Sequence, residues 1–132
     1  MMAKLEHSPQ PARMEAVSRD ALVQAALQEI NQNYREASLS NVARAYGVSL
    51  AYVSECVRAQ TGRTYKELLQ KHRMETAARL LRRSDLNIQQ IIAQVGYENT
   101  SYFYRLFHER YGLSPREYRM VRTGTAPRRP SA

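Results

Sequence analysis

Two stretches of this chain carry the same punctuation. Residues 45–57 are AYGVSLAYVSECV and residues 94–107 are QVGYENTSYFYRLF. In both, an apolar residue precedes a glycine, a short polar turn follows, and an apolar pattern of helical period begins. An offset of 49 pairs Ser38 with Asn87, Leu39 with Ile88, Val42 with Ile91 and Gly47 with Gly96. Beyond the turn the offset is 50, pairing Ser49 with Asn99, Tyr52 with Tyr102, Val53 with Phe103, Val57 with Phe107 and Gly62 with Gly112. It runs on to pair Thr64 with Ser114 and Glu67 with Glu117. The second copy therefore has one extra turn residue, Gly96-Tyr97-Glu98 standing against Gly47-Val48.

Each copy spells a short helix, a tight turn and a second helix. Ser38 or Asn87 caps the first helix, and glycine ends it by tolerating the left-handed conformation. Ser49 or Asn99 caps the next. The segments T-Y-K-E (64–67) and S-P-R-E (114–117) form capping boxes for a third. Alternating apolar patterns are nearly absent, so the sequence predicts an all-α fold: two helix-turn-helix subdomains joined by a long linker helix.

The boundaries follow from the same signals. Residues 1–17 hold two prolines and no sustained period, and they are expected to be a flexible lead. Residues 18–63 form the first subdomain with its preceding helix. That helix is capped by Ser18, carries Val23, Ala26, Leu27, Ile30 and Tyr34, and extends to about Glu36. Residues 64–83 form the linker helix, about 30 Å long at 1.5 Å per residue. Its Leu68, Leu69, Ala77, Leu80 and Leu81 face the two copies, while Arg73, Arg79, Arg82 and Arg83 make the other surface basic. A stiff spacer of that length would set two recognition helices about one DNA turn apart, in successive major grooves. Residues 84–122 form the second subdomain, and 123–132 a disordered tail.

Charge is unevenly spread. Residues 1–60 hold six Lys/Arg and six Asp/Glu, a balance of 0, whereas residues 61–132 hold fourteen and six, a balance of +8. The excess suits either a polyanionic partner or a basic solvated surface with a basic tail. The single cysteine, Cys56, cannot form an internal disulfide and sits where a small buried apolar residue suits a helix. His7, His72 and His108 are scattered. No nucleophile–base pair, metal set or glycine-rich phosphate loop is present, so no catalytic residue, metal or cofactor is expected, and no enzymatic activity either. The N-terminus, MMAKLEHSPQPARM, has no apolar run of the kind a signal peptide or membrane anchor needs, so a soluble cytoplasmic protein is expected.

On a helix of about 100° per residue, Val53, Cys56 and Val57 share one side of 49–61, and Ala51, Ser54, Glu55 and Arg58 the other. In the second copy Phe103, Leu106 and Phe107 are inward, leaving Ser101, Tyr104, Arg105 and His108 outward. A second helix with a short mixed polar face suits the major groove, although any solvated surface helix has such a face.

The stretch from about Leu39 to Arg119 resembles the DNA-binding domain of the AraC/XylS family of bacterial transcription regulators. The most specific part is IQQIIAQVGYENTSYFYRLF (88–107) with YGLSPREYR (111–119), in which Gly96, Tyr102, Phe103, Phe107, Gly112, Pro115 and Tyr118 keep the family's spacing. The resemblance implies sequence-specific binding of double-stranded DNA for transcriptional regulation, with RNA polymerase a further candidate partner. By position, base-edge contacts would fall on Ala51, Ser54, Glu55, Thr100, Ser101, Tyr104 and Arg105. Phosphate contacts would fall on Ser49, Arg58, Arg82, Arg83, Asn99 and His108. Arg105 is the leading reader, able to fork onto guanine O6 and N7, to bind a phosphate or to pair with Glu109. Arg82 and Arg83 would meet phosphate or solvent. The chain departs from the family at three positions: Glu55 is acidic where a base is common, Val57 replaces a bulkier aromatic, and Ile92 replaces a small alanine. Family members usually carry a ligand-sensing or dimerising domain, for which the residues ahead of the first helix have no room, so the chain is a stand-alone regulator or a fragment. A nonspecific nucleic-acid-binding or protein-docking helical module is the alternative, and equal binding of random and selected duplexes would favour it.

Overall fold

The computed structural model describes residues 17–123. The expected flexible lead and disordered tail therefore lie, but for Val17 and Thr123, outside the described residues. Those residues form seven helices and no strand: α1 Arg19–Asn33, α2 Leu39–Tyr46, α3 Leu50–Thr61, α4 Tyr65–Arg83, α5 Ile88–Val95, α6 Thr100–Tyr111 and α7 Pro115–Thr123. The chain divides into two compact units, one ending at Leu69 and the other beginning at Gln70, so the division falls inside α4.

The repeat survives in three dimensions. Helices α2 and α5 each have 8 residues, and α3 and α6 each have 12. The inserted residue lies wholly in the second turn. Both turns reverse through a left-handed glycine, with φ of 67° at Gly47 and 102° at Gly96, where a Cβ would be strained. The N-caps are those the sequence names: oxygens of Ser38, Ser49, Asn87 and Asn99 accept backbone N–H groups of the helices they start. Both capping boxes close reciprocally, Thr64 with Glu67 and Ser114 with Glu117.

In the first unit, Leu22, Val23, Ala26 and Ile30 of α1 meet Val42 and Ala43 of α2 and Val53, Cys56 and Val57 of α3. Tyr65, Leu68 and Leu69 from the start of α4 close this core. Leu22 belongs to the buried stripe although the sequence reading omitted it, and α1 ends at Asn33 rather than near Glu36. The Glu29 carboxylate joins α1 to α2 by accepting from the Ser38 N–H and the Asn41 side-chain amide, at 3.4 and 3.2 Å.

The second unit buries Met74, Thr76, Ala77, Ala78 and Leu81 of α4, Ile91, Ile92 and Val95 of α5, Phe103 and Phe107 of α6, and Pro115. Its α4 residues echo α1 at an offset of 51, Val23 with Met74, Ala26 with Ala77 and Ile30 with Leu81. The linker is thus the last helix of one copy and the first of the next. Leu106, expected inward, is only half-buried, whereas Cys56, its counterpart, is fully buried. Phe107 is the hub of an aromatic cluster with Phe103, Tyr111 and Tyr118.

Two expected members of the basic linker surface turn inward. Arg73 is half-buried with its guanidinium 5.1 Å from the Tyr97 ring centroid, and Arg82 donates a 2.8 Å hydrogen bond to the Tyr118 hydroxyl. From α7, Arg119 donates to the carbonyls of Leu81 and Ser84 at the end of α4, at 3.0 and 3.1 Å. These carbonyls lack intrahelical partners, and a cation also suits the negative end of the helix dipole.

Candidate nucleic-acid interface

The two 12-residue helices are built the same way. An apolar pair four residues apart, Val53 and Val57 or Phe103 and Phe107, is fully buried and fixes the rotation of each helix about its axis. That rotation leaves Ala51, Ser54, Glu55 and Arg58 exposed on α3, and Ser101, Tyr104, Arg105 and His108 exposed on α6. Thr100 is half-buried. Tyr104 keeps its ring edge-on against Phe103, with centroids 6.2 Å apart.

The residues expected to touch phosphate divide by their surroundings. Ser49 and Asn99 use their side-chain oxygens as caps, accepting from the Tyr52 and Tyr102 N–H groups at 3.0 and 2.9 Å. The serine hydroxyl proton and the asparagine NH2 are left as donors at the positive end of each helix. Arg58, Arg83 and His108 are exposed, whereas Arg82 is half-buried on Tyr118.

Arg105 has two neighbours on its own helix. Its guanidinium carbon lies 5.0 Å from the Tyr102 ring centroid, and Nη1 lies 4.0 Å from Glu109 Oε2. The ion pair is slack and about three-fifths exposed on both sides, at 62% and 61%. Such an i,i+4 pair is worth only about 0.3–0.5 kcal/mol. Tyr102, absent from the sequence-based candidates, is tied elsewhere: its hydroxyl accepts a 2.7 Å hydrogen bond from Gln70 Nε2 on α4. Asn99, Ser101, Tyr102 and Arg105 line a shallow depression at the start of α6.

In the first unit Tyr52, the counterpart of Tyr102, has Arg19 of α1 at 5.6 Å from its ring centroid. The residue matching Arg105 is Glu55, and among the described residues Glu55 and Arg58 form no ion pair. Leu50 is 50% exposed at the first position of α3, where α6 has Thr100. At about 100° per residue Leu50 falls on the side of Val53 and Val57, so its exposure at the helix start was not legible from the periodicity.

Three residues of the second unit titrate away from their ordinary values. Burial, then the nearby Arg79 charge, lowers the His72 pKa, against an opposing pull from Glu75. Burial raises the Tyr97 and Tyr111 pKa values, against lowering by Arg73 and Arg110 respectively. Among the described residues no group of three or more His, Cys, Asp or Glu side chains is placed to hold a metal, and no helix is long and apolar enough to cross a membrane.

A helix-turn-helix domain family model matches residues 42–120. The transcriptional activator NphR of Rhodococcus sp is 37% identical over 92 residues, 68% of this chain and 27% of that protein. The transcriptional activator PerA of Escherichia coli O127:H6 is 29% identical over 114 residues, 82% of this chain and 39% of that protein. The chain thus spans well under half the length of both relatives. Among solved structures, the C-terminal domain of AraT, a response regulator from Geobacillus stearothermophilus, aligns with a TM-score of 0.70 at 35% identity, covering 76% of this chain and 84% of that one.

Proposed function

The chain belongs to the AraC/XylS family of helix-turn-helix transcription regulators, and from that premise we propose that it binds a specific double-stranded DNA sequence to regulate transcription. The observation that carries this is the paired construction of α3 and α6, each locked by a buried apolar pair and each presenting a short polar face. Base edges are read by Ala51, Ser54 and Glu55 in one unit and by Thr100, Ser101, Tyr104 and Arg105 in the other. Ser49, Arg58, Arg83, Asn99 and His108 serve the phosphates, which position the protein without carrying sequence information. Arg82 contributes through its bond to Tyr118 instead. The relatives' names as transcriptional activators support RNA polymerase as a protein partner and a cytoplasmic setting.

Selection of bound duplexes from a random library tests this directly. A defined motif is expected, with affinity that falls steeply as salt rises. A flat selection, with random duplexes bound as tightly as enriched ones, would mean nonspecific binding. If both units engage at once, inserting about 5 bp between the halves of the motif turns one half to the opposite face of the duplex and removes most specific affinity. Unchanged binding to the lengthened site would leave only one unit reading sequence.

A further inference from the structure

We propose that Tyr102 is a positioning residue for base recognition: its ring is a platform that holds the Arg105 guanidinium, and Gln70 holds the ring. The proposal rests on Arg105 being a base reader, as above. An arginine on an exposed helix samples many rotamers, and those that do not aim its fork at a base dilute recognition. Here the guanidinium lies 5.0 Å from the Tyr102 centroid, within cation–π range. A guanidinium over a ring keeps its N–H edge available to an acceptor while one of its faces is occupied.

The platform is itself constrained. Gln70 on α4 donates to the Tyr102 hydroxyl at 2.7 Å, so the far end of the ring is pinned by a neighbouring helix. The Tyr97 ring packs edge-on against it at 5.9 Å, and Tyr97 in turn has Arg73 at 5.1 Å. Tyr97 stands where the first copy has Val48, each donating its backbone N–H five residues back, to Ile92 and Ala43 respectively, and valine has no ring, so this edge contact belongs to the second copy alone. Opposing the platform is Glu109, whose 4.0 Å ion pair draws the same guanidinium along the helix and away from the α6 start.

The test measures preference for guanine over adenine at the base pair that Arg105 governs, located by comparing motifs selected by the wild type and Arg105→Ala. Tyr102→Leu should lower that preference about two- to fivefold, the worth of an exposed cation–π contact. It should leave preference elsewhere unchanged and have no further effect in the Arg105→Ala background. Gln70→Met, which keeps the volume and removes the bond, should lower it in the same direction and by less. Equal weakening at every position, or the same loss in the Arg105→Ala background, would make Tyr102 a packing residue and overturn the proposal. If Arg105→Ala leaves the selected motif unchanged, base reading by Arg105 fails and the platform with it. If Arg105→Ala relaxes the motif and Tyr102→Leu does not, the platform alone fails. Should Tyr102→Leu not fold, the unbound wild type decides: side-chain proton resonances of Arg105 should be shifted upfield by the ring, and unshifted resonances would overturn the proposal.

Discussion

Replacing Phe107 by alanine tests the packing on which the second recognition helix depends. The Phe107 side chain is fully buried, with ring centroids of Tyr111, Tyr118 and Phe103 at 4.6, 5.5 and 5.9 Å. Large-to-small changes of this kind cost about 3–5 kcal/mol, the value depending on how far neighbours relax into the void. Two of the three neighbours are restrained, since Tyr118 accepts from Arg82 at 2.8 Å and Tyr111 donates to the Met74 carbonyl at 3.4 Å. The upper part of the range, about 4–5 kcal/mol, is therefore expected. Its counterpart Val57→Ala deletes two carbon groups worth ~0.8 kcal/mol each, so about 1.6 kcal/mol before any cavity term. Hydrogen exchange followed by mass spectrometry resolves the effects by helix. Phe107→Ala should strip protection from α5, α6 and α7 first, and Val57→Ala should lower it more modestly in α1, α2 and α3. A Phe107→Ala loss under about 2 kcal/mol, or one no larger than that of Val57→Ala, would refute the claim that the ring cluster holds α6 in place.

Four further outcomes are expected. Arg105→Ala should remove about 1–3 kcal/mol of discrimination at one or two base pairs, and 7-deazaguanine there should mimic it; an unchanged selected motif would exclude base reading. Arg83→Ala should weaken all sequences alike and flatten the log affinity–log salt slope by about 0.9, whereas Arg82→Ala should lower thermal stability by breaking the Tyr118 bond; altered preference at a single base pair would contradict the Arg83 assignment. Glu55→Gln should raise affinity modestly for every duplex without altering the motif; loss of a cytosine preference with falling affinity would show instead that Glu55 accepts from cytosine N4. His72 has a folded pKa below its ordinary 6.5, so the unfolded chain binds the proton more readily and stability should fall as pH drops below 6.5; a denaturation midpoint whose pH slope is identical in His72→Gln would remove that residue from the linkage.

What the sequence made legible was local. Caps, glycine turns and apolar pairs four residues apart are decided within one or two helical turns, so the repeat, its single insertion and the rotation of α3 and α6 could be read directly. The helical pattern places Arg73 and Arg82 outward, since a guanidinium on an amphipathic helix is ordinarily solvated. Their partners, Tyr97 and Tyr118, lie 24 and 36 residues away in sequence. Charge pattern alone cannot indicate which cations find an aromatic face or a hydroxyl across such a separation. Tyr102 was a different kind of miss. Its i,i+3 spacing to Arg105 is a local signal, but in the sequence Tyr102 reads as one residue of the family's spacing, and only the Gln70 bond exposes its second contact.

The two copies share a backbone plan and differ in the chemistry set upon it, which bears on how they divide their work. Tyr52 and Tyr102 occupy matching positions, and each has a guanidinium near its ring. On Tyr102 the cation is Arg105, from the outward face of the recognition helix itself. On Tyr52 it is Arg19, from the preceding helix, and the Arg105 position is filled by Glu55. The first unit thus satisfies the same ring with a cation from α1 rather than from α3. Its exposed face begins with Leu50 and Ala51, offering apolar contact where α6 offers Thr100 and Ser101. Apolar groups can meet a thymine methyl, but a charged fork on guanine discriminates through hydrogen bonds that the wrong base leaves unmade. Add the chain's charge, balanced over residues 1–60 and +8 over 61–132, and the proposed phosphate attraction and hydrogen-bonded selectivity would fall mainly to the second unit. The acidic Glu55 would be tolerable under that proposed division, because the unit bearing it would not be the one that mainly draws the protein to DNA.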